Sequence, residues 1–399
     1  MTILGLDEVS VRSAVGRVRD NIDGGIAPLF ARAAWTGITE PGDGVAGALI
    51  AALGPVGALE LVIEHADGDR LSAELAAAGG TALAKRTLTQ SLARWRPRLV
   101  SGDALASLNR AARLGIRFVT PDDPSWPRGL DELGEHAPLG LWVRGRHDAL
   151  DELTRSIALV GARAATSYGE NAAAELAEEL VGRGFAIVSG GAYGIDGMAH
   201  RAALACDGTT IAFLAGGADR LYPPRNHELL TEIMRRGVVV SELPVGSTPT
   251  RWRFLQRNRL IAAASQATIV VEAGVRSGSI NTAGHASALG RPLGVVPGPI
   301  TSPASAGCHR LLREYSAVCV TRGDEAAELV DGAEVTAGRA EAPVDPVVTR
   351  VLDALTRRAQ NASSVAKVSG LALAEVQAVL GLLELDGSVQ SIDGAWRRA

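Results

Sequence analysis

The chain has 399 residues, a formal net charge of −4, 47% hydrophobic and 21% charged residues. That is enough for two or three domains with buried cores and too apolar for a largely disordered chain. A net negative charge also excludes a generally basic coat for nucleic acid. Apolar runs such as Ile261–Ala264 and Ala267–Val271 fall far short of the roughly 20 residues a membrane helix needs. No basic stretch followed by an apolar core opens the sequence, and the three cysteines, Cys206, Cys308 and Cys319, lack metal-ligand spacing. A disulfide framework or zinc finger is therefore not expected. The expectation is a cytoplasmic protein with no membrane contact, metal or cofactor. Of the 40 basic residues all but Lys85 and Lys367 are arginine, a bias that a GC-rich genome accounts for without function. Clustering is a separate matter, and four arginines fall between Arg251 and Arg259.

In chain order, residues 1–28 read as a polar, glycine-containing tail. Residues 29–117 read as a helical domain, with Leu49, Ile50 and Leu53 before Gly54-Pro55 and Leu59, Leu61 and Val62 after it. That turn fits either a helix-hairpin-helix or the ordinary turn of a small bundle. Within residues 118–330, apolar runs of strand length alternate with helical stretches. The predicted strands are Ile157–Gly161, Ala186–Ser189, Thr210–Ala215, Val238–Ser241, Thr268–Val271, Leu293–Val296 and Val318–Val320, with helices such as Ala172–Val181 and His227–Met234 between them. Uninterrupted apolar strands imply burial on both faces, hence an α/β fold, a Rossmann-like doubly wound and mostly parallel sheet. Its ligands belong outside the C-terminal ends of the strands. Residues 331–346 read as a linker and 347–399 as a small winged-helix-like domain. Three helices, Val347–Leu355, Ser364–Val368 and Ala374–Leu385, precede a hairpin at Gly387–Trp396; a module of this size serves DNA or protein contacts.

Four predicted strands end in small-residue loops. Gly161-Ala162-Arg163 leads to Thr166 and a helix, and Ser189-Gly190-Gly191 to Gly194 and Asp196. Ala215-Gly216-Gly217 leads to Asp219, and Glu272-Ala273-Gly274 to Ser277-Gly278-Ser279 and a helix. Glycine lets a ligand approach the backbone, and helix N-termini offer N–H groups to anions. Four such loops on one sheet edge predict a row of phosphate-sized nests. There is no G-x-x-x-x-G-K-[ST] string and no G-x-G-x-x-G in the first loop, which disfavours a P-loop ATPase and a standard dinucleotide site. The segment Arg251-Trp252-Arg253-Phe254-Leu255-Gln256-Arg257-Asn258-Arg259 offers guanidinium forks for phosphates and aromatics for bases, and also reads as a solvated, salt-bridged helix face.

At these residues the sequence resembles the DprA/Smf family of bacterial DNA-processing proteins. The matching strings are Ser189–Asp196 with His200, and Ala215–Asp219 with Tyr222-Pro223 and Asn226. Ser241-Glu242-Leu243-Pro244, Phe254 with Arg257-Asn258-Arg259-Leu260-Ile261, Val271-Glu272-Ala273, Ser277–Ala283 and Val296-Pro297-Gly298 complete the run. The resemblance implies a non-catalytic protein that binds single-stranded DNA, forms a homodimer through its Rossmann-like domain and loads RecA recombinase during transformation. Carried over to this chain, the implied phosphate contacts are Arg163, Ser189, Gly190, Gly191, Arg257, Asn258, Ser277, Gly278 and Ser279. The loops and the arginine cluster add Gly161, Gly216, Gly217 and Arg259 as expected contacts, and Arg163 and Arg257 are expected on the solvent side of the strand ends. The sequence departs from relatives that carry a second basic residue after the first loop, having Ala164 and Ala165 there.

Two other readings use the same loops. A phosphoribohydrolase-like enzyme needs a carboxylic acid placed at the leaving base, yet Ser277–Ala283 holds Asn281 and Thr282 and no acid, while Glu272 precedes the loop in a structural or arginine-pairing position. A nucleotide-sensing module needs only the loops. Asp196 and His200, four residues apart on one predicted helix face, read as structural.

Overall fold

The computed structural model of the chain describes residues 2–19, 22, 25–100, 102–332, 346–356, 358–385, 387–392 and 395–398. It divides into two compact units, Met1–Asp331 and Gly332–Ala399. The expected linker falls at 331–346, of which 333–345 lie outside the described residues.

The first unit is built on a nine-stranded sheet in the order β11-β10-β9-β5-β6-β7-β8-β4-β3. Seven neighbours are parallel: β11 (Val318–Cys319), β10 (Leu293–Val295), β9 (Ala267–Glu272), β5 (Ser156–Gly161), β6 (Ala186–Ser189), β7 (Thr210–Phe213) and β8 (Val238–Ser241). β4 (Leu141–Gly145) and β3 (Arg117–Val119) extend it antiparallel. Side chains alternate between two cores. Ala158, Val160, Val188, Phe213, Val240 and Val270 pack on one face, and Ile157, Leu159, Ile187, Ile269 and Val271 on the other. Full burial of each such Val, Leu or Ile contributes about 1.5–3 kcal/mol, so both faces must stay covered. Helices α7 (Ser167–Gly182), α8 (Ile195–Ala205) and α13 (Gly323–Asp331) cover the second face, and α10 (Arg251–Ala264), α11 (Ser279–Ala288) and α12 (Ala306–Glu314) the first. Helix α9 (His227–Arg236) packs Leu229, Leu230 and Ile233 on Ala212 and Val239.

The helical segment before the sheet comprises α2 (Ile26–Ile38), α3 (Gly44–Ile63), α4 (Gly68–Ala77), α5 (Lys85–Trp95) and α6 (Asp103–Arg113). At 20 residues and mean hydropathy 2.0, α3 is the single helix among the described residues long and apolar enough to cross a membrane, contrary to the short-run expectation. Its Gly54 sits at φ 74 ahead of Pro55 and breaks the helix, and its Leu49, Leu59 and Val62 are buried around Trp35 and Trp95. Those two rings meet edge to face with centroids 5.3 Å apart.

The opening residues are not a tail. A short hairpin of β1 (Thr2–Ile3) and β2 (Leu6–Asp7) leads into α1 (Glu8–Gly16), capped by the Asp7 carboxylate. Val11, Ala14 and Val15 are buried against Leu29, Leu108, Phe118 and Trp142, closing the β3–β4 edge of the sheet. That apolar face is three small residues wide, which is why periodicity misses it.

The second unit holds α14 (Pro346–Ala354), α15 (Ala362–Ser369), α16 (Leu373–Leu385) and the hairpin β12 (Val389–Ile392)–β13 (Ala395–Arg398), around Val351, Val365, Val376, Leu380 and Val389. This is a winged helix, and its third helix carries Glu375 and Glu384 but no Lys or Arg.

Candidate functional site

In an open doubly wound sheet the ligand crevice lies where successive connections leave in opposite directions. Here that point is between β5 and β9, because β5 pairs with both β6 and β9. A cavity of about 910 Å³ opens there, floored by Gly161–Ala164 after β5 and Gly274–Ser279 after β9 and walled by Thr250–Asn258 of α10.

Helix α10 begins because Thr250 accepts the Arg253 amide through its side chain. Its four arginines then diverge. Arg251 is exposed and lines the cavity. Arg253 forms a two-pronged pair with Glu40 at 2.9 and 3.0 Å, in the turn between α2 and α3. Arg257 is 5% exposed and donates to the Phe213 carbonyl at 2.6 Å. Arg259 is 3% exposed and grips both oxygens of Glu242 at 2.6 and 2.7 Å. The expectation that Arg257 faces solvent is therefore corrected, and of the two roles open to Glu272 it takes the structural one, with no arginine paired to it among the described residues. Glu272 instead accepts the Thr166 amide at 2.8 Å and its hydroxyl at 2.7 Å, fastening the loop after β5 to the end of β9.

Exposed cations come from three separate segments: Arg163, Arg251 and Arg276 all line the cavity and are exposed. Among the described residues none of them forms an ion pair. Arg163 lies over the Phe254 ring at 4.5 Å, a cation–π contact that holds the guanidinium at the wall. Tyr222 stands beside the same ring at 5.9 Å. Arg251 and Arg276 were not among the expected contacts, although Arg276 sits inside the Gly274–Ser279 loop and position alone pointed to it. They supply the cations that Ala164 and Ala165 do not.

The four-loop row resolves into fewer parts. Ser277, Gly278 and Ser279 line the cavity at the start of α11, and Asn258 fixes that loop by donating to the Gly278 carbonyl at 3.2 Å. A side chain at Gly278 would meet nothing within 4 Å, so the backbone there is open to a ligand. Gly161 also lines the cavity, but its lack of a Cβ is required by Ile195, whose Cγ1 would lie 2.4 Å away. Ser189, Gly190 and Gly191 lie behind the wall. Ser189 is fully buried and donates to Leu159, and a Cβ on Gly190 would fall 1.9 Å from Arg257 Nη1. Gly216 and Gly217 turn away toward the segment 244–249, against Pro249 and the Pro244 carbonyl. Ala192 and Asp196 represent the second loop in the cavity lining.

Asp196 accepts the Gly190 amide at 3.2 Å, with the Gly161 and Ala192 amides also directed at it. Burial pushes its carboxyl up from the ordinary carboxylate range, against the pull of Arg257 and those amides. Arg257 is itself brought down to about 10, by burial first and with Asp196 opposing the change. His200 accepts the Gly191 amide on Nε2 at 3.2 Å and meets Thr210 through Nδ1 at 2.6 Å. Burial lowers its pKa to about 3, so it is a neutral strut under the second loop. No group of three His, Cys, Asp or Glu that could hold a metal occurs among the described residues.

A cationic, aromatic-walled cavity at the switch point of a doubly wound sheet defines a Rossmann-like protein equipped for a phosphate-bearing ligand. The comparisons with known proteins narrow this. Residues 117–331 match the family model for DNA recombination-mediator protein A, and residues 335–395 the DprA winged helix domain. A Mycobacterium tuberculosis DprA relative is 47% identical over 312 residues, covering 74% of this chain and 80% of its own. The Smf protein of Synechocystis is 32% identical over 314 residues, covering 70% and 79%. Among solved structures, Streptococcus pneumoniae DprA superposes with a TM-score of 0.57 at 28% identity, over 74% of this chain and 94% of that one. The chain belongs to the DprA family of DNA-processing proteins.

Proposed function

We propose that this protein binds single-stranded DNA in the switch-point cavity, without turnover, and acts as a homodimeric mediator that loads a RecA-type recombinase during recombination or transformation. The observation that carries the reading is the set of three exposed cations, Arg163, Arg251 and Arg276, that line one cavity together with Phe254 and Tyr222. Guanidinium forks match phosphate oxygens, and an aromatic face accepts any base, so the site suits a flexible strand irrespective of sequence. A duplex keeps its bases stacked inside and offers the exposed Tyr222 ring on the cavity wall nothing to stack on. The absence of turnover is supported by the carboxylates. Glu272 is spent on Thr166, and Asp196, which borders the cavity, is buried and engaged by the Gly190 amide, so neither stands as an exposed acid for a leaving base. The family resemblance supplies the recombinase and the dimer.

The test is a titration of the full chain with single- and double-stranded oligonucleotides at matched salt, beside an assay for base release from nucleoside monophosphates. Tighter binding of the single strand with no base release supports the reading. Base release abolished by Asp196→Asn would overturn it in favour of a hydrolase. Light scattering of the full chain tests the dimer, which a monomer at micromolar concentration would refute.

A further inference from the structure

A second cavity, of about 300 Å³, opens between α2, α6 and the turn after β8, where its walls include Arg98, Asp103, Ser107, Arg110, Pro244 and Val245. It lies in the most basic part of the chain. Residues 85–117 hold eight Lys or Arg and one acid, Asp103, in a protein whose net charge is −4. Several of these cations are occupied: Lys85 by Asp69, Arg94 by Asp43, and Arg96 by the Ala66 carbonyl. Arg110 is exposed and forms no ion pair among the described residues. Its Nη1 lies so close to Gly246, at φ +93, that a Cβ there would come within 2.9 Å. The guanidinium is thus set against the turn rather than extended into water.

Two further features point to an anionic occupant. Glu40 alone answers two arginines, Arg253 in two-pronged fashion and Arg98 at 2.9 Å, so the trio retains an excess positive charge. Despite desolvation, these two arginines hold the Glu40 carboxyl below its usual range. The Ser107 hydroxyl, on the cavity wall, is shielded from solvent and has no hydrogen-bond partner. Asp103, Ser107 and Arg110 follow one face of α6, at spacings of four and three residues. The backbone of Asp103 is therefore about 10 Å along the axis from that of Arg110, near the Debye length at ordinary salt.

The cavity also lies a short stretch of chain from the main site. Pro244 and Val245 line the second cavity, and Pro249, Thr250 and Arg251 line the first. The chain from Val245 to Pro249 spans at most about 14 Å, and the Arg253–Glu40–Arg98 bridge ties helix α10, which walls the first cavity, to Arg98 on the wall of the second. We propose that this crevice is a second phosphate subsite, in which a single strand leaving the switch-point cavity places a backbone phosphate against Arg110 and Arg98, with the Ser107 hydroxyl as donor. The proposal rests on the single-strand reading of the main cavity.

The experiment uses the full chain and fluorescence anisotropy with two oligothymidylates, of about 6 and about 25 nucleotides, at several salt concentrations. The short strand reports the main cavity and the long one both sites. Arg110→Ala should leave the short strand's affinity unchanged, weaken the long strand about tenfold at low salt, and flatten its log–log salt slope by about 0.7. Arg110→Lys should restore most of the slope, and Ser107→Ala should weaken only the long strand. Circular dichroism confirms that the variants fold. Wild-type affinity and slope for the long strand in Arg110→Ala overturn the proposal, as does equal weakening of both lengths. If the wild-type chain binds neither strand, or Arg163→Ala leaves the short strand's affinity intact, the main-cavity reading has failed and the subsite falls with it.

Discussion

Arg257→Ala removes a guanidinium that is 5% exposed, donates to the Phe213 carbonyl at 2.6 Å and faces the buried carboxyl of Asp196. A charge-assisted hydrogen bond of this kind contributes about 1.5–3 kcal/mol. Leaving a buried charge without its opposite costs about 3–5 kcal/mol where the two are in direct contact. No ion pair within 4 Å joins Arg257 to Asp196, so the lower part of the combined range applies, about 2–4 kcal/mol. At about 2.1 cal/mol/K per residue, in the unit Met1–Asp331 that lowers the melting temperature by about 3–6 °C. Arg163→Ala, at an exposed position, should change stability by no more than about 0.5 kcal/mol. It should nevertheless weaken single-strand binding at all base sequences and flatten the salt slope by about 0.7. Thermal and urea unfolding followed by circular dichroism, run beside anisotropy titrations, separate the two effects. An Arg257→Ala protein that melts with the wild type while losing DNA affinity and slope would refute the assignment of Arg257 to the scaffold.

Other expectations follow from the same geometry. Gly278→Ala should fold normally, because nothing lies within 4 Å of the added carbon, yet weaken DNA binding in a titration. Gly161→Ala should lower the melting temperature, because the added carbon would lie 2.4 Å from Ile195. Arg259→Met should cost about 3–5 kcal/mol in urea unfolding by stranding Glu242, and adding Glu242→Leu should recover most of the loss. His200, with a pKa of about 3 against an ordinary 6.5, takes up its proton more readily in the unfolded chain. Its contribution to stability is full above pH 6.5 and is lost as pH falls toward 3, by up to about 1.4 kcal/mol per pH unit. Urea midpoints between pH 7 and 5 should therefore fall more steeply for wild type than for His200→Gln.

The parallel strands were legible to within a residue or two because burial on both faces writes an unbroken apolar run, as in Val238–Ser241 and Ala186–Ser189. The antiparallel strands β3 and β4 and helix α1 left no comparable trace, since their burial depends on one another. Among the residues lining the cavity, Arg163 and Ser277–Ser279 had been expected from the loops that carry them and Asn258 from the family resemblance. The arginines of α10 were not sorted correctly, because spacing along a helix does not reveal what packs over it. Glu40 arrives from a turn more than 200 residues earlier, and with it α10 places Arg253 at the seam and Arg257 and Arg259 inside. The glycines misled for a related reason: Gly190 makes room for Arg257 and Gly161 for Ile195, so only Gly278 keeps its space for a ligand.

The most direct test of the central claim is the affinity of the full chain for one oligonucleotide sequence, presented as a single strand and as a duplex at the same salt. Both titrations are repeated with the triple variant Arg163→Ala, Arg251→Ala and Arg276→Ala. The account predicts much tighter binding of the single strand by the wild-type protein. In the folded triple variant that preference should collapse, with the single-strand salt slope flatter by about 2, at about 0.7 per lost contact. Equal affinity for the two forms, or a folded triple variant that binds the single strand as well as wild type, would contradict it.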